Sequence, residues 1–121
     1  DCPPGIGALA TSVLRAADRV LVPTVPTPLS LRALDEVLEH VDDKKVGKTR
    51  VTPFFSMADR RRKMHREMIE SPPDIMRKAP KTFIDYSTHV EQMGMHRAPV
   101  RVFAPRSRAA AQYKALYKEI R

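Results

Sequence analysis

Two short apolar runs, each followed by an amphipathic helical pattern, constrain this chain more than any other feature. Val20-Leu21-Val22-Pro23-Thr24-Val25 is bounded by Pro26 and Pro28, and Arg50 to Met57 reads Arg-Val-Thr-Pro-Phe-Phe-Ser-Met. Apolar runs of this length between turn signals predict buried strands of a parallel sheet. Pro23 and Pro53 have no N–H to give to a ladder, so each argues for an edge position or the last residues of a strand. Residues 6–17 place Ile6, Leu9, Ala10, Val13, Leu14 and Ala17 at helical spacing. After a cap at Ser30, a second helix lines one face with Leu31, Leu34, Val37, Leu38 and Val41. It stops before the solvated charge run Asp42-Asp43-Lys44-Lys45.

The rest of the chain continues the alternation. A basic helix is predicted from about Ala58 to Glu70, with Met64 and Met68 on its buried face. Pro72-Pro73 end it and open a short helix through Lys78. Thr82-Phe83-Ile84 reads as a brief strand, Val90 to Met95 as one or two helical turns, and Val100-Arg101-Val102-Phe103 as extended. Ser107 caps a final helix that turns Ala110, Tyr113, Leu116, Tyr117 and Ile120 inward. Helix and strand in this order predict an α/β fold, an incomplete parallel sheet with helices on both faces.

The opening Asp1-Cys2-Pro3-Pro4-Gly5 reads as the end of a strand breaking into a sharp loop. Proline ends sheet pairing and glycine permits the turn. In open α/β sheets, ligands gather at the carboxyl ends of strands, where such an Asp would sit. An Asp before Pro-Pro is also a common turn former, and both readings stand. The strand that should precede Asp1 lies outside the sequence. The expectation is a single segment, residues 1–121, from the C-terminal part of a larger domain.

Composition narrows the partners. No run of 18 apolar residues exists, so no membrane span is expected, and no signal peptide opens the chain. The single Cys2 makes no internal disulfide and fits a reducing cytoplasm. A net charge of +8 suits an anionic partner or an inert basic surface. Its densest patch is Arg60, Arg61, Arg62 and Lys63 with Arg66, which would contact phosphate backbones of DNA without sequence preference. The competing reading is a solvated helix face, partly offset by Glu67 and Glu70. Few aromatics interleave the cations, which argues against stacking on single-stranded bases.

Other motifs fail on chemistry. Val46-Gly47-Lys48-Thr49 looks like the end of a phosphate loop, but the glycine expected five positions earlier is Asp42, and a strand follows rather than a helix. His40, His65, His89 and His96 lack metal-ligand spacing. His65, among charges in mid-helix, reads as solvated. No Ser/His/Asp arrangement supports nucleophilic catalysis.

Five stretches follow one another in a distinctive order. They are Asp1-Cys2-Pro3-Pro4-Gly5, the strand Arg19 to Pro26 with the helix start Leu29–Leu34, and Phe55-Ser56-Met57-Ala58-Asp59-Arg60. Ala98-Pro99-Val100 and Ala104 to Ala110 then lead into a last helix ending Tyr117-Lys118-Glu119-Ile120. This order resembles the C-terminal half of ParA/MinD-type ATPases, the deviant P-loop superfamily that includes cobyrinic acid a,c-diamide synthase. The resemblance covers nearly all of the chain. It implies that Asp1 holds water ligands of magnesium near the γ-phosphate and that Pro3 to Gly7, with Gly5, form the loop responding to that phosphate. It implies that Met57 flanks adenine. Asp85 and Tyr86 then occupy the adenine loop, with Asp85 where the family has Pro.

The family's glycine-rich loop is not in this sequence. The resemblance therefore implies ATP and magnesium as cofactors of the intact protein and neither in this segment, which would be inactive alone. The intact function would be ATP-driven dimerisation and hydrolysis for DNA partitioning or positioning. The alternatives are an ATP-dependent amide ligase of the cobyrinic acid a,c-diamide synthase type and a stand-alone basic DNA-binding or scaffold module. With the family's central strand missing, Val20–Val25 is expected to form an edge. Ile6, Leu9, Val13 and Leu14 should then face water and favour a homo-oligomer packed through residues 6–25.

Overall fold

In a computed structural model, which describes residues 7–43 and 49–121, two six-residue strands pair in parallel. Strand β1 (Arg19–Thr24) and strand β2 (Arg50–Phe55) run in register from Arg19↔Arg50 to Thr24↔Phe55. Backbone bonds frame the ladder: Arg50 N–H donates to Asp18 C=O and Ser56 N–H to Thr24 C=O. By alternation the N–H of residues 50, 52, 54 and 56 faces β1. Pro53 therefore sits where its missing N–H points away from the partner, and the same logic places Pro23 on the outer side of β1. Both prolines lie at edge-facing positions, the requirement stated for them above.

Helix α1 (Ala8–Ala16) precedes β1, and helix α2 (Pro28–Asp43) connects the strands. Helix α3 (Lys63–Glu70) and a 3₁₀ turn (Asp74–Met76) follow β2. Three single-turn helices, α4 (Thr88–Glu91), α5 (Met93–His96) and α6 (Val100–Phe103), lead to helix α7 (Arg108–Ile120). Phe54 and Phe55, adjacent in β2, are both buried because the sheet is covered on two sides. Phe55 packs with Leu34 of α2 and Met76, supported by Met68 and Ile69 of α3. Phe54 packs with Ile84 and Leu116 of α7. A further cluster of Val100, Ala109 and Ala110 seats α6 on α7. The molecule is thus α/β, a two-strand parallel sheet flanked by helices. No helix among the described residues is long and apolar enough to cross a membrane.

Several elements differ from expectation, each for a local reason. Thr82–Ile84 forms no strand. It approaches the outer edge of β2, where Pro53 has nothing to donate, so contact is confined to Ile84 N–H with Phe55 C=O and a bridge between Ala58 and Asp85. Helix α3 begins at Lys63 rather than near Ala58, because Arg62 N–H closes a turn on Asp59 C=O. Its inward face is His65, Met68 and Ile69, which leaves Met64 exposed. His65 is 4% exposed and so is a core residue, not a solvated one. Val100–Phe103 is helical, not extended: Pro99 sets the entry and Ala104 N–H closes the turn on Val100 C=O. Tyr117 lies on the rim of the α7 stripe and is 62% exposed, while Leu116 points inward. Thr27, not Ser30, caps α2. Its C=O accepts from Leu31 N–H and its Oγ1 from Ser30 N–H, with Pro28 at the first helical position.

Helix α1 has no buried residue, and Leu9 and Val13 face water as expected, while Leu14 is half-buried. It is tied down by polar bonds. Thr49 Oγ1 donates to Leu14 C=O (2.7 Å) and contacts Ala17 C=O (3.1 Å), and Thr11 Oγ1 bonds His40 Nε2 (3.1 Å). Strand β1 pairs only with β2 among the described residues, which makes its other side an edge. The Val46–Lys48 stretch, like Asp1, Pro3 and Gly5, lies outside the described residues.

The caps give a direct test of the α2 boundary. Thr27→Ala and Ser107→Ala should each cost about 1 kcal/mol, and Ser30→Ala about 0.5 kcal/mol or less, read from urea midpoints. Equal costs at 27 and 30 would move the helix start back to Ser30.

Candidate functional site

At the carboxyl end of β2 the backbone turns sharply. Met57 adopts φ 53°, a left-handed conformation unusual for a side chain of its size. The turn brings Ala58 beside the segment before α4: Ala58 N–H donates to Ile84 C=O (3.1 Å) and Tyr86 N–H to Ala58 C=O (3.0 Å). The result is a cleft of about 510 Å³ walled by Asp59, Arg60, Arg61, Asp85, Tyr86 and Arg108. A neighbouring hollow of about 380 Å³ shares Asp59, Arg61 and Tyr86 with it and adds Met57, Thr27 and His65. Both lie past the carboxyl ends of the parallel strands, the usual ligand position in open α/β sheets.

Two carboxylates organise the cleft. Asp59 accepts from Arg61 Nε (2.9 Å), Arg61 Nη2 (3.0 Å) and the Arg61 backbone N–H (3.1 Å). These bonds, the side-chain ones foremost, hold the Asp59 carboxyl at about 2, below its usual value. Arg62 approaches the same carboxylate at 3.9 Å. Asp85 accepts from Arg60 Nε (2.9 Å) and Gln112 Nε2 (3.0 Å), and Arg108 stands at 3.6 Å. Gln112 Oε1 in turn accepts the Asp85 backbone N–H (3.1 Å), which closes a two-bond ring between loop and helix. Arg108 and Gln112 share a face of α7, being four residues apart. The guanidinium of Arg60 also lies 5.0 Å above the ring of Phe83, within cation–π range.

The remaining walls are fixed as firmly. His65 Nδ1 accepts Asp59 N–H at 2.9 Å, so in the neutral imidazole the proton sits on Nε2. Tyr86 OH donates to Glu91 (3.0 Å), and this bond, with the Glu91 charge, raises the phenol above its usual value. Tyr86 and Met57 nevertheless expose about half of their surface, 47% and 51%. A thioether and a phenol ring beside guanidinium groups form a surface suited to a planar ligand that carries negative charge. Among the described residues no group of three His, Cys, Asp or Glu converges to hold a metal.

Of the residues singled out in sequence, Asp85 and Arg60 line the cleft, Met57 and Arg62 line the neighbouring hollow, and Tyr86 and Arg61 line both. Arg60–Arg62 lie in the turn before α3 and are paired with Asp85 and Asp59, so they do not form a free helical face. Lys63 and Arg66 lie on α3, where Lys63 faces Glu67 at 3.5 Å. Sequence reasoning missed the roles of Asp59, His65, Arg108 and Gln112. Asp59 stood inside the quoted Phe55–Arg60 motif and could have been found there.

Asp59 sets a pH dependence. Its carboxyl is lowered from 3.8 to about 2 in the folded chain, so the stabilisation it gives is whole above about pH 4 and lost as pH falls toward 2. The stability gap between the natural chain and Asp59→Asn should therefore narrow between about pH 5 and pH 2. A gap that stays constant in urea titrations would show that the Arg61 bonds are not formed in solution.

Comparison with known proteins adds kinship to this geometry. No family model matches the chain. It is 31% identical over 127 aligned positions to the sporulation initiation inhibitor protein Soj of Bacillus subtilis (strain 168), covering 99% of this chain and 49% of Soj. The chain thus spans about half the length of that relative. The chain is thus similar to Soj along nearly all of its own length.

Proposed function

We propose that the chain is the C-terminal segment of a ParA-like ATPase that uses ATP-driven dimerisation and hydrolysis for DNA partitioning or positioning. The observation that carries the reading is that Met57, Asp85 and Tyr86 lie around two adjoining hollows past the strand ends, Tyr86 lining both, in a chain similar to Soj. In this reading Met57 and Tyr86 flank the base. Asp85 shapes the loop through Arg60, Arg108 and Gln112 rather than touching the base itself. The phosphates and magnesium fall to Asp1, to the Pro3–Gly7 loop and to a glycine-rich loop encoded upstream. That loop supplies the N–H groups and lysines that neutralise a triphosphate.

Two expectations follow. Isothermal titration should find no micromolar binding of Mg-ATP to the 121-residue chain alone. In the protein that carries the upstream loop, Tyr86→Ala should weaken ATP about tenfold while Asp85→Asn alters it less, in keeping with loss of stacking worth about 1–3 kcal/mol. Micromolar ATP binding by the chain alone, or an indifferent Tyr86→Ala, would reject the reading.

DNA contact belongs to the same proposal, with Arg60, Arg61, Arg62, Lys63 and Arg66 as phosphate ligands. Because Arg60–Lys63 already face Asp85, Asp59 and Glu67, phosphates must displace those carboxylates, and binding is expected to be weak. Replacing Arg61 and Arg62 with Ala should lower the slope of log affinity against log salt by about 2. An unchanged slope would leave these cations as purely intramolecular partners.

A further inference from the structure

The amino ends of the strands carry a second concentration of cations, remote from the cleft. Arg19 and Arg50 are register partners at the first positions of β1 and β2. Partners in adjacent parallel strands lie about 5 Å apart with side chains on one face of the sheet. Their side chains therefore leave the sheet from neighbouring points, and like charges placed opposite each other in a ladder disfavour the pairing unless an anion offsets them. Around them Thr52, Lys78, Arg121 and Glu119 complete a hollow of about 310 Å³.

The charge at this hollow is unbalanced. Among the described residues, Arg19, Arg50, Lys78 and Arg121 have no carboxylate within 4.0 Å, whereas Arg60, Arg61, Arg62, Lys63 and Arg108 all do. The carboxylate that lines the hollow, Glu119, is engaged elsewhere: it accepts the backbone N–H of Lys81 and of Thr82. Its role is to pin the loop before Phe83 onto α7. Among the described side chains, four cations thus stand around one carboxylate, which is already bonded to the main chain.

We propose that this hollow is a binding site for a compact phosphoanion of the pyrophosphate type. Guanidinium forks match phosphate oxygens in pairs, and Arg19 and Arg50 offer two such forks side by side. Lys78 adds a point charge and the Thr52 hydroxyl a neutral donor. The volume lies at the lower end of the range for ligand pockets, about 300–1,000 Å³, which fits a small anion better than a whole nucleotide. The site stands on charge and register alone and does not depend on the nucleotide reading of the cleft.

The test is thermal unfolding of the full chain with increasing pyrophosphate, against sodium chloride at matched ionic strength. The melting temperature should rise and saturate with pyrophosphate. The double variant Arg19→Gln, Arg50→Gln should melt no lower than the natural chain without ligand, because a like-charge pair is relieved. It should bind pyrophosphate at least about tenfold more weakly, since each lost charge-assisted bond is worth a factor of that order. Arg106→Gln, at the other end of α7, should bind normally. Should the double variant not fold, Lys78→Gln on the exposed loop serves as the second probe and should also weaken binding. A short DNA duplex that displaces pyrophosphate would identify a nucleic-acid backbone as the natural source of the phosphate, and one that leaves it bound would identify a free phosphoanion. No saturable stabilisation, or equal stabilisation of the natural chain and the variants, would overturn the site.

Discussion

Phe54 and Phe55 are consecutive in β2 and both are buried, and most of the architecture follows from that pair. Successive side chains of a strand point to opposite faces, so burying both requires cover on each side. Helix α2, α3 and the 3₁₀ turn supply it for Phe55, and α7 with Ile84 supplies it for Phe54. Each phenylalanine removed from water contributes about 1.5–3 kcal/mol, which makes the two-sided cover the main apolar gain in so small a sheet. The cleft is a consequence. The chain leaves β2 at Met57 and must cross the end of the sheet to start α3, while the Ile84 segment arrives at the same end to cover Phe54. Their meeting at the Ala58–Asp85 bridge is what brings Met57, Asp85 and Tyr86 together.

Much of this was legible in the chain itself. The strands announced themselves by apolar runs between prolines, and the prolines fell where missing N–H groups cost nothing. Ser107 was a legible cap because its Oγ accepts Ala110 N–H, the pattern its spacing implied. What failed were choices between neighbours. Thr27 and Ser30 are both capping types three residues apart, and Pro28 decided between them. Val100–Phe103 has strand-forming side chains, but Pro99 and packing on α7 made a helical turn of it, an instance of tertiary context overriding propensity. His65 looked solvated because its sequence neighbours are charged. Its environment is set instead by Asp59 N–H, which no helical period reveals.

The arginine cluster was the least legible feature. Arg60 pairs with Asp85, 25 residues away, through a loop whose position depends on the burial of Ile84. A sequence shows that cations are adjacent but not which carboxylates reach them. Folding turns a run of like charges into ion pairs, and in doing so it ties the loop before α4 to the turn before α3. Arg108 and Gln112 extend the tie to α7. The three elements that wall the cleft are therefore joined by one carboxylate, and a ligand entering there works against, or through, the same bonds.

The two ends of the sheet differ in how they treat positive charge, and the difference is informative about where anions are to be met. At the carboxyl end every arginine lining the cleft has a carboxylate within 4.0 Å, so an incoming phosphate must compete with Asp59 or Asp85. At the amino end, Arg19 and Arg50 are placed beside each other by the register of the strands, and the nearby Glu119 is bound to backbone. Exposed ion pairs are individually weak, so competition at the cleft is an adjustable barrier rather than a block. Cations with no carboxylate within 4.0 Å among the described residues, by contrast, meet an anion without that competition. The net charge of +8 is thus not spread as a uniform coat. Part of it is internally neutralised around the proposed nucleotide cleft, and part, among the described residues, stands without a carboxylate partner at the start of the same two strands.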